Sequence, residues 1–345
     1  MKRVRVASSL GGALLLLLVV GGVLSALALH ELDQPLGATP VTLLVVPKGA
    51  ALRPTLMRLG DEKILAHPKL LYLYARLTRA TTVLAGEYEI SPTLTPRLLL
   101  KMLGEGRIKL WSLVIPEGLN RWQVRDKLVA EKWLRAEDFD CLCDDRDFLA
   151  AHAVPGPSCD GYLFPETYSL ARGVPARELM GMLLDRFHAT YTEVTARGGT
   201  GPLALSTREL VTLASIVEKE TGAAVERPRI ACVFYNRLVG KPRWRLQTDP
   251  TVIYAATLAD PHFDGNLTRQ HLRELDSAYN TYRIYGLPPG PIASPGRAAL
   301  EAVVAPETCK DFFFVSKNNG HHEFCATLDC HNRAVQKWQV EYFRR

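Results

Sequence analysis

The chain has 345 residues, 47% hydrophobic and 23% charged, with a formal net charge of +6. This is ordinary globular composition, able to bury a core and long enough for two domains at roughly 150 residues each. The positive charge is spread out, with no dense basic run beyond the extreme N-terminus and no aromatics interleaved in a basic stripe, which excludes the usual nucleic-acid modules.

Lys2, Arg3 and Arg5 precede an uncharged apolar run from Ala7 to Leu29. As a helix at about 1.5 Å per residue, this run spans roughly 34 Å, enough for a bilayer core. The basic flank should stay in the cytoplasm, which places everything after His30 on the far side. Ser25 to Ala28 offers small residues that resemble a cleavage site, so a removed signal peptide is the competing reading. The length of the run favours a retained anchor over residues 1–30, and residues 31–40 read as a polar linker.

Val41 to Val46 is rich in β-branched residues and reads as a strand. Helical periodicity follows through Leu52, Leu56 and Leu59, and again from Pro68 to Leu77. Ala85 to Ile90 alternates as a second strand. A helix then runs from Thr95 to Leu103, with Thr95 as cap and Pro96 at the first helical position. Residues 41–106 thus form a strand–helix–helix–strand–helix unit. Its size and order are similar to the glycan-binding modules known as LysM, with a plain packing domain as the alternative.

A second unit, residues 107–345, opens with a strand at Leu110 to Ile115, broken by Pro116-Glu117-Gly118. Arg121 to Leu134 is an amphipathic helix. Glu137 to Asp147 is acidic and cysteine-bearing, a loop with a short helix. Asp160 to Tyr168 is a compact aromatic loop, and Arg177 to Arg197 a long helix. The next helix, over residues 206–221, carries its own start signal: Ser206 followed by Glu209 fits a capping box. At about 100° per residue, Leu213, Ala214 and Val217 fall within about 60° of Leu210, with Arg208, Ser215 and Lys219 opposite. Glu218 and Glu220 lie about 80° to either side of this apolar stripe. A carboxyl at such a margin loses hydration, which raises its pKa and makes it a proton donor. The bland alternative is two boundary glutamates paired with Lys or Arg.

Arg227 to Val239 continues as helix. Gln247-Thr248-Asp249-Pro250 begins another, with Asp249 at the cap and Pro250 at the first position. Tyr279 to Pro295 is a Pro/Gly-dense loop, rigid enough to wall a site. Phe312 to Val315 and Glu323 to Cys325 flank a hairpin turn at Asn318-Asn319-Gly320, and a final helix runs from about Leu328 to Tyr342. The fold class is α+β: an N-terminal transmembrane helix, a small α/β subdomain and a larger mixed α+β catalytic domain. Seven cysteines on an exported chain allow one or two disulfides, in no known framework. Cys325, Cys330, His321, His322 and His331 match no standard zinc spacing. No metal or cofactor is expected.

The chain has no Gly-rich phosphate loop, Gly-x-Ser-x-Gly elbow or His-Glu-x-x-His motif. The polar residues that stand out are Glu218, Glu220, Gln247, Asp249, Asn280, Tyr282, His322, His331 and Asn332. Carboxylates with amides and aromatics suit a sugar site, where an acid protonates the leaving oxygen. Individually, Asp249 reads as a cap, Tyr282 as core and His331 as a surface histidine.

The motifs Leu213-Ala214-Ser215-Ile216-Val217-Glu218-Lys219-Glu220-Thr221, Leu246-Gln247-Thr248-Asp249-Pro250, Tyr279-Asn280-Thr281-Tyr282 and Gly286-Leu287-Pro288-Pro289-Gly290-Pro291-Ile292 resemble the endolytic murein transglycosylases of the MltG (YceG-like) type. So do Gly161-Tyr162-Leu163-Phe164-Pro165-Glu166-Thr167-Tyr168 and Ile115-Pro116-Glu117-Gly118, all in the family's order. The resemblance implies a single-pass protein of the bacterial inner membrane, with a LysM-like subdomain and a periplasmic catalytic domain. Its partners would be peptidoglycan glycan strands and peptidoglycan synthases. It further implies internal cleavage of nascent strands between N-acetylmuramic acid and N-acetylglucosamine, leaving 1,6-anhydro ends and terminating elongation. Glu218 would act as acid and then base, with Glu220 and the other polar residues around it. A hydrolytic muramidase and a non-catalytic peptidoglycan-binding scaffold are the rivals. The chain departs from the family at His321, which stands in place of a glycine, and at Cys330, where an acidic or small residue is usual. The cysteine-bearing segment 137–159 is not a family hallmark either.

Overall fold

The computed structural model describes residues 3–37 and 41–342. Lys2, the first charge of the basic flank, and residues 38–40 of the expected linker lie outside them. The chain divides into two units. One takes the residues up to Ser112 together with Ser169–Arg172, and the other takes Leu113–Tyr168 and the residues from Gly173 onward.

In the first unit, α1 (Arg3–Leu32) contains a stretch, Leu15–Leu32, long and apolar enough to cross a membrane. It continues into the segment expected as linker because Leu32 is apolar and has somewhere to go. That side chain is 2% exposed and joins the core of the small subdomain. Strands β1 (Thr42–Val46) and β2 (Gly86–Ile90) pair antiparallel, Thr42 opposite Ile90 and Val46 opposite Gly86. Helices α2 (Leu52–Asp61) and α3 (Pro68–Leu77) lie between the strands in sequence, and α4 (Pro96–Glu105) follows. Leu44, Val46, Leu56, Leu59, Leu71, Tyr88, Ile90, Leu99 and Leu103 fill the space between these elements. Thr95 caps α4 by accepting from the Leu98 N–H at 3.3 Å, with Pro96 next, as the sequence suggests. The element order expected for residues 41–106 is the one observed.

Strand β3 (Trp111–Val114) pairs with β4 (Thr167–Leu170), and the division between the units falls within these strands. The aromatic loop therefore ends in a strand.

The second unit is mostly helical. Its helices are α5 (Arg121–Ala130), α6 (Ala136–Cys143), α7 (Arg146–Ala151), α8 (Ala176–Gly198) and α9 (Thr207–Glu220). They are followed by α10 (Arg227–Val239), α11 (Asp249–Ala259), α12 (Arg269–Glu274), α13 (Arg297–Val304) and α14 (Leu328–Val335), the last continuing as a π-helical turn to Glu341. The hairpin is β5 (Phe313–Ser316) with β6 (His322–Cys325). Four sequence readings change here. Helix α5 stops at Ala130 rather than Leu134, because Lys132 takes a left-handed turn at φ 59°. The acidic segment 137–147 is two helices, because Asp145 starts α7 by accepting from the N–H groups of Asp147 and Phe148. Thr248, not Asp249, occupies the N-cap of α11. Three disulfides form rather than one or two: Cys143–Cys159, Cys232–Cys309 and Cys325–Cys330, leaving Cys141 free and exposed. Since Cys325 and Cys330 are bonded to each other, neither offers a thiolate to a metal.

Candidate active site

Helix α9 begins as the sequence dictates. The Ser206 hydroxyl accepts from the Glu209 N–H, and the Glu209 carboxylate accepts from the Ser206 N–H at 2.9 Å. Beyond that point the helix is not amphipathic in the expected sense. Every residue from Leu210 to Glu218 is buried, with α10, α11 and α13 packed around it. The side read as wet carries the Pro/Gly loop instead. Arg208 Nε donates to the Pro289 carbonyl at 2.6 Å, Ser215 Oγ accepts from the Ile292 N–H at 3.0 Å, and Glu218 Oε2 accepts from the Gly296 N–H at 3.0 Å. Three polar side chains on one face therefore satisfy backbone groups that would be orphaned in a buried loop. The loop is fixed from its other side as well, through Gly118 N–H to Ser294 carbonyl at 2.9 Å and Ser294 N–H to Leu119 carbonyl at 2.8 Å.

Glu218 is 9% exposed. Its Oε1 accepts from Arg227 Nη2 at 2.5 Å, and the same nitrogen lies 3.3 Å from Glu117 Oε2. Burial pushes the Glu218 pKa up, and the Glu117 charge adds to the rise. The Gly296 N–H, the Arg227 guanidinium and Lys219 pull it back without cancelling it. Gly296 is also the N-cap of α13, so the carboxylate faces the positive end of that helix. A side chain at Gly296 would place its Cβ 1.9 Å from Glu117 Oε1, which is why the backbone comes this close only with glycine. Lys219, the next residue along the helix, and Gly118, which packs against the Glu218 stem, wall an open hollow of about 200 Å³ with Asn120, Pro250, Tyr254 and Ile292.

Glu220 sits elsewhere on the same helix end. It accepts from the Thr248 hydroxyl, which explains why Thr248 makes no capping bond to its own helix. Burial first, then Asp249, push the Glu220 pKa up to about 7, against the Thr248 bond and Arg237. Asp249 accepts from the Tyr282 hydroxyl at 2.5 Å. Gln247 is held in a left-handed conformation at φ 50°, a strained state for a non-glycine residue. Its N–H is tied to the Thr281 carbonyl at 3.2 Å. Glu220, Gln247, Asp249 and Tyr282 are thus brought together.

The remaining expected residues are placed differently. Asn280 is fully buried, and its amide closes the end of α12 by donating to the carbonyls of His271, Leu272 and Leu275. His322 binds Glu226 at 2.8 Å, one residue before Arg227 and so one step from the Glu218 carboxylate. Burial opposes the Glu226 charge, but the His322 bonds outweigh it and lower that pKa. His331 stacks on Phe313, its ring centroid 5.0 Å away, with Nδ1 buried and unpartnered. Burial lowers its pKa, and the nearby Arg237 lowers it further. Asn332 is exposed on α14.

Sequence reasoning missed Arg227, Glu117, Gly296 and Asp160 as parts of this region. Asp160 is 3% exposed, accepts from the Tyr254 hydroxyl at 2.5 Å, and is pushed up to about 6 by burial. The Pro-Glu-Gly turn and the Pro/Gly loop were visible as turns, but nothing in their spacing says that they meet at Glu218.

A family model described as the YceG-like family matches residues 44–337. The chain is 29% identical over 308 residues to the endolytic murein transglycosylase of Bacillus subtilis, covering 85% of this chain and 83% of the relative. It is 26% identical over 329 residues to the endolytic murein transglycosylase of Streptococcus pneumoniae, covering 84% of this chain and 57% of that longer protein. Its fold is similar to the crystal structure of a yceG-like protein from Listeria monocytogenes, with a TM-score of 0.57, 32% identity, and coverage of 85% of this chain and 98% of the other. With the match running through β1, α9 and the β5–β6 hairpin, the chain belongs to the YceG-like family.

Proposed function

We propose that this murein transglycosylase cuts glycan strands internally between N-acetylmuramic acid and N-acetylglucosamine, with Glu218 as its acid and then its base. The observation that carries the reading is the buried Glu218 carboxyl. Its pKa is raised, it is ion-paired to Arg227, and its neighbours Gly118 and Lys219 line a hollow. A raised pKa favours the protonated form that can donate to the bridging oxygen. Each carboxyl oxygen takes one donor, Arg227 on Oε1 and Gly296 N–H on Oε2, which leaves a second lone pair free to carry the proton. After the transfer, the same two donors and the end of α13 hold the anion. The carboxylate then removes the proton from the muramic 6-hydroxyl as that oxygen closes on C1, giving a 1,6-anhydro end. The nucleophile is part of the substrate, so one carboxyl serves both steps.

Glu218→Gln should fold and bind strands while losing about 10²–10⁴ in cleavage rate, the usual worth of general acid catalysis. Unchanged cleavage by this variant would remove Glu218 from the mechanism. Mass spectrometry of the wild-type digest should show anhydro ends. Products heavier by one water would support a hydrolytic muramidase. In this proposal α1 is a retained inner-membrane anchor with the rest of the chain periplasmic. The strand–helix–helix–strand–helix subdomain is LysM-like and contacts glycan, and cleavage ends the growth of strands made by a peptidoglycan synthase.

A further inference from the structure

A second hollow, of about 460 Å³, opens in the same unit and is lined by Arg245, Leu272, Arg273, Tyr282 and Arg283. Three arginines line this one hollow, giving it a positive wall that suits an anion. Among the described residues no carboxylate forms an ion pair with Arg245 or Arg273, whereas Arg283 has Asp276. Arg245 Nε is buried without a hydrogen-bond partner, and its guanidinium lies 4.8 Å from the Tyr285 ring centroid, with Arg243 at 5.0 Å from the same ring. The aromatic face fixes the fork of Arg245 while leaving its N–H groups unspent. Arg283 is partly engaged: Nη1 donates to the Glu274 carbonyl at 2.8 Å, and Nη2 lies 3.7 Å from Asp276, a side chain 96% exposed. The other acids nearby are engaged: Asp249 accepts from the Tyr282 hydroxyl, Glu220 from the Thr248 hydroxyl and Glu274 from the Gln270 amide.

We infer that this hollow binds a free carboxylate of the short peptides borne by the glycan strand. The inference rests on the reading that murein is the substrate, and it adds a peptide subsite to the sugar site. Murein carries, through the lactyl ether of every second sugar, a peptide with several free carboxylates, which are planar anions that a guanidinium fork matches in two hydrogen bonds. The mixed lining, with Leu272 and Tyr282 among the arginines, suits a peptide rather than a bare phosphate. The location agrees. Tyr282 reaches Asp249, whose neighbour Pro250 lines the first hollow together with Lys219, the residue after Glu218. A strand seated at Glu218 thus has a stem-peptide site within reach along the same surface.

The test is calorimetric binding to the full-length protein in detergent, with a disaccharide-tripeptide as probe and its fully amidated counterpart as control. Wild type should bind the acid form at least tenfold more tightly than the amidated form. Arg245→Gln with Arg273→Gln, and separately the exposed charge reversal Arg273→Glu, should abolish that preference and leave the amidated form unaffected. Equal binding of both forms by wild type, no binding of the acid form, or variants that keep the preference would each overturn the site. Pyrophosphate displacing the probe more strongly than the tripeptide displaces itself would also overturn it, assigning the arginines to a phosphate headgroup. The readout does not require strand cleavage, so it stands apart from the Glu218→Gln experiment.

Discussion

Arg227 and Glu117 act on Glu218 in opposite senses, and this can be read in the pH dependence of cleavage. If Glu218 is the acid, as proposed, it must be protonated to act, so kcat/KM should fall as pH rises through its pKa. Arg227 stabilises the anion and Glu117 destabilises it. In Arg227→Met the pKa rises further, and the alkaline limb should move to higher pH. In Glu117→Gln it falls, and the limb should move to lower pH. Limbs measured with defined strands that stay in place, or that move the same way in both variants, would contradict the assignment of charges. At this scale the sequence was informative about Glu218 and nearly silent about its partners. The capping box and the apolar spacing placed the carboxyl on a helix edge, because both depend on neighbours within one helix. The Gly296 N–H and the Arg227 guanidinium reach it through tertiary packing, which no local period encodes.

Helix α9 shows how an element can be located correctly and its environment misread. Its start follows from Ser206 and Glu209, and Ser206→Ala should cost about 1 kcal/mol, a modest drop in melting temperature with cleavage chemistry intact. Its polar side looked solvent-facing because Arg208, Ser215 and Lys219 share it. In the fold, Arg208 and Ser215 hold a loop made of prolines and glycines, which contributes few side chains and needs outside partners for its backbone. The disulfides belong to the same scale. In the loop-closure picture, Cys232–Cys309, separated by 77 residues, should stabilise by roughly 4.5 kcal/mol, and Cys325–Cys330, separated by 5, by roughly 2 kcal/mol. Paired Cys→Ser variants compared in denaturant melts should keep that order. A larger loss at Cys325–Cys330 would show that strain or residual structure dominates instead.

For the molecule as a whole, the sequence anticipated the α+β class, the apolar first helix and the element order of the small subdomain. It did so because transmembrane length, strand alternation and helix caps are each written in short windows. It missed that the first helix reaches into the subdomain, where Leu32 is buried and Asp33 receives a two-pronged bond from Arg97 at 2.8 and 2.9 Å. If α1 is retained, the mature protein should keep its N-terminal mass and stay with membranes through high-salt and alkaline washes, leaving only in detergent. Recovery of a soluble chain that begins near Ala28 would favour the cleaved signal. The Cys232–Cys309 bridge has a wider implication. The span it closes holds Gln247, Asp249, Tyr282, the Pro/Gly loop and Gly296, whereas Glu218 lies outside it. Doubling the length of a flexible segment costs only about 0.6 kcal/mol once its ends are fixed. Length changes in an exposed loop of this stapled ring, such as the segment between α11 and α12, are therefore expected to cost little stability and to leave the α9 helix that bears Glu218 in place.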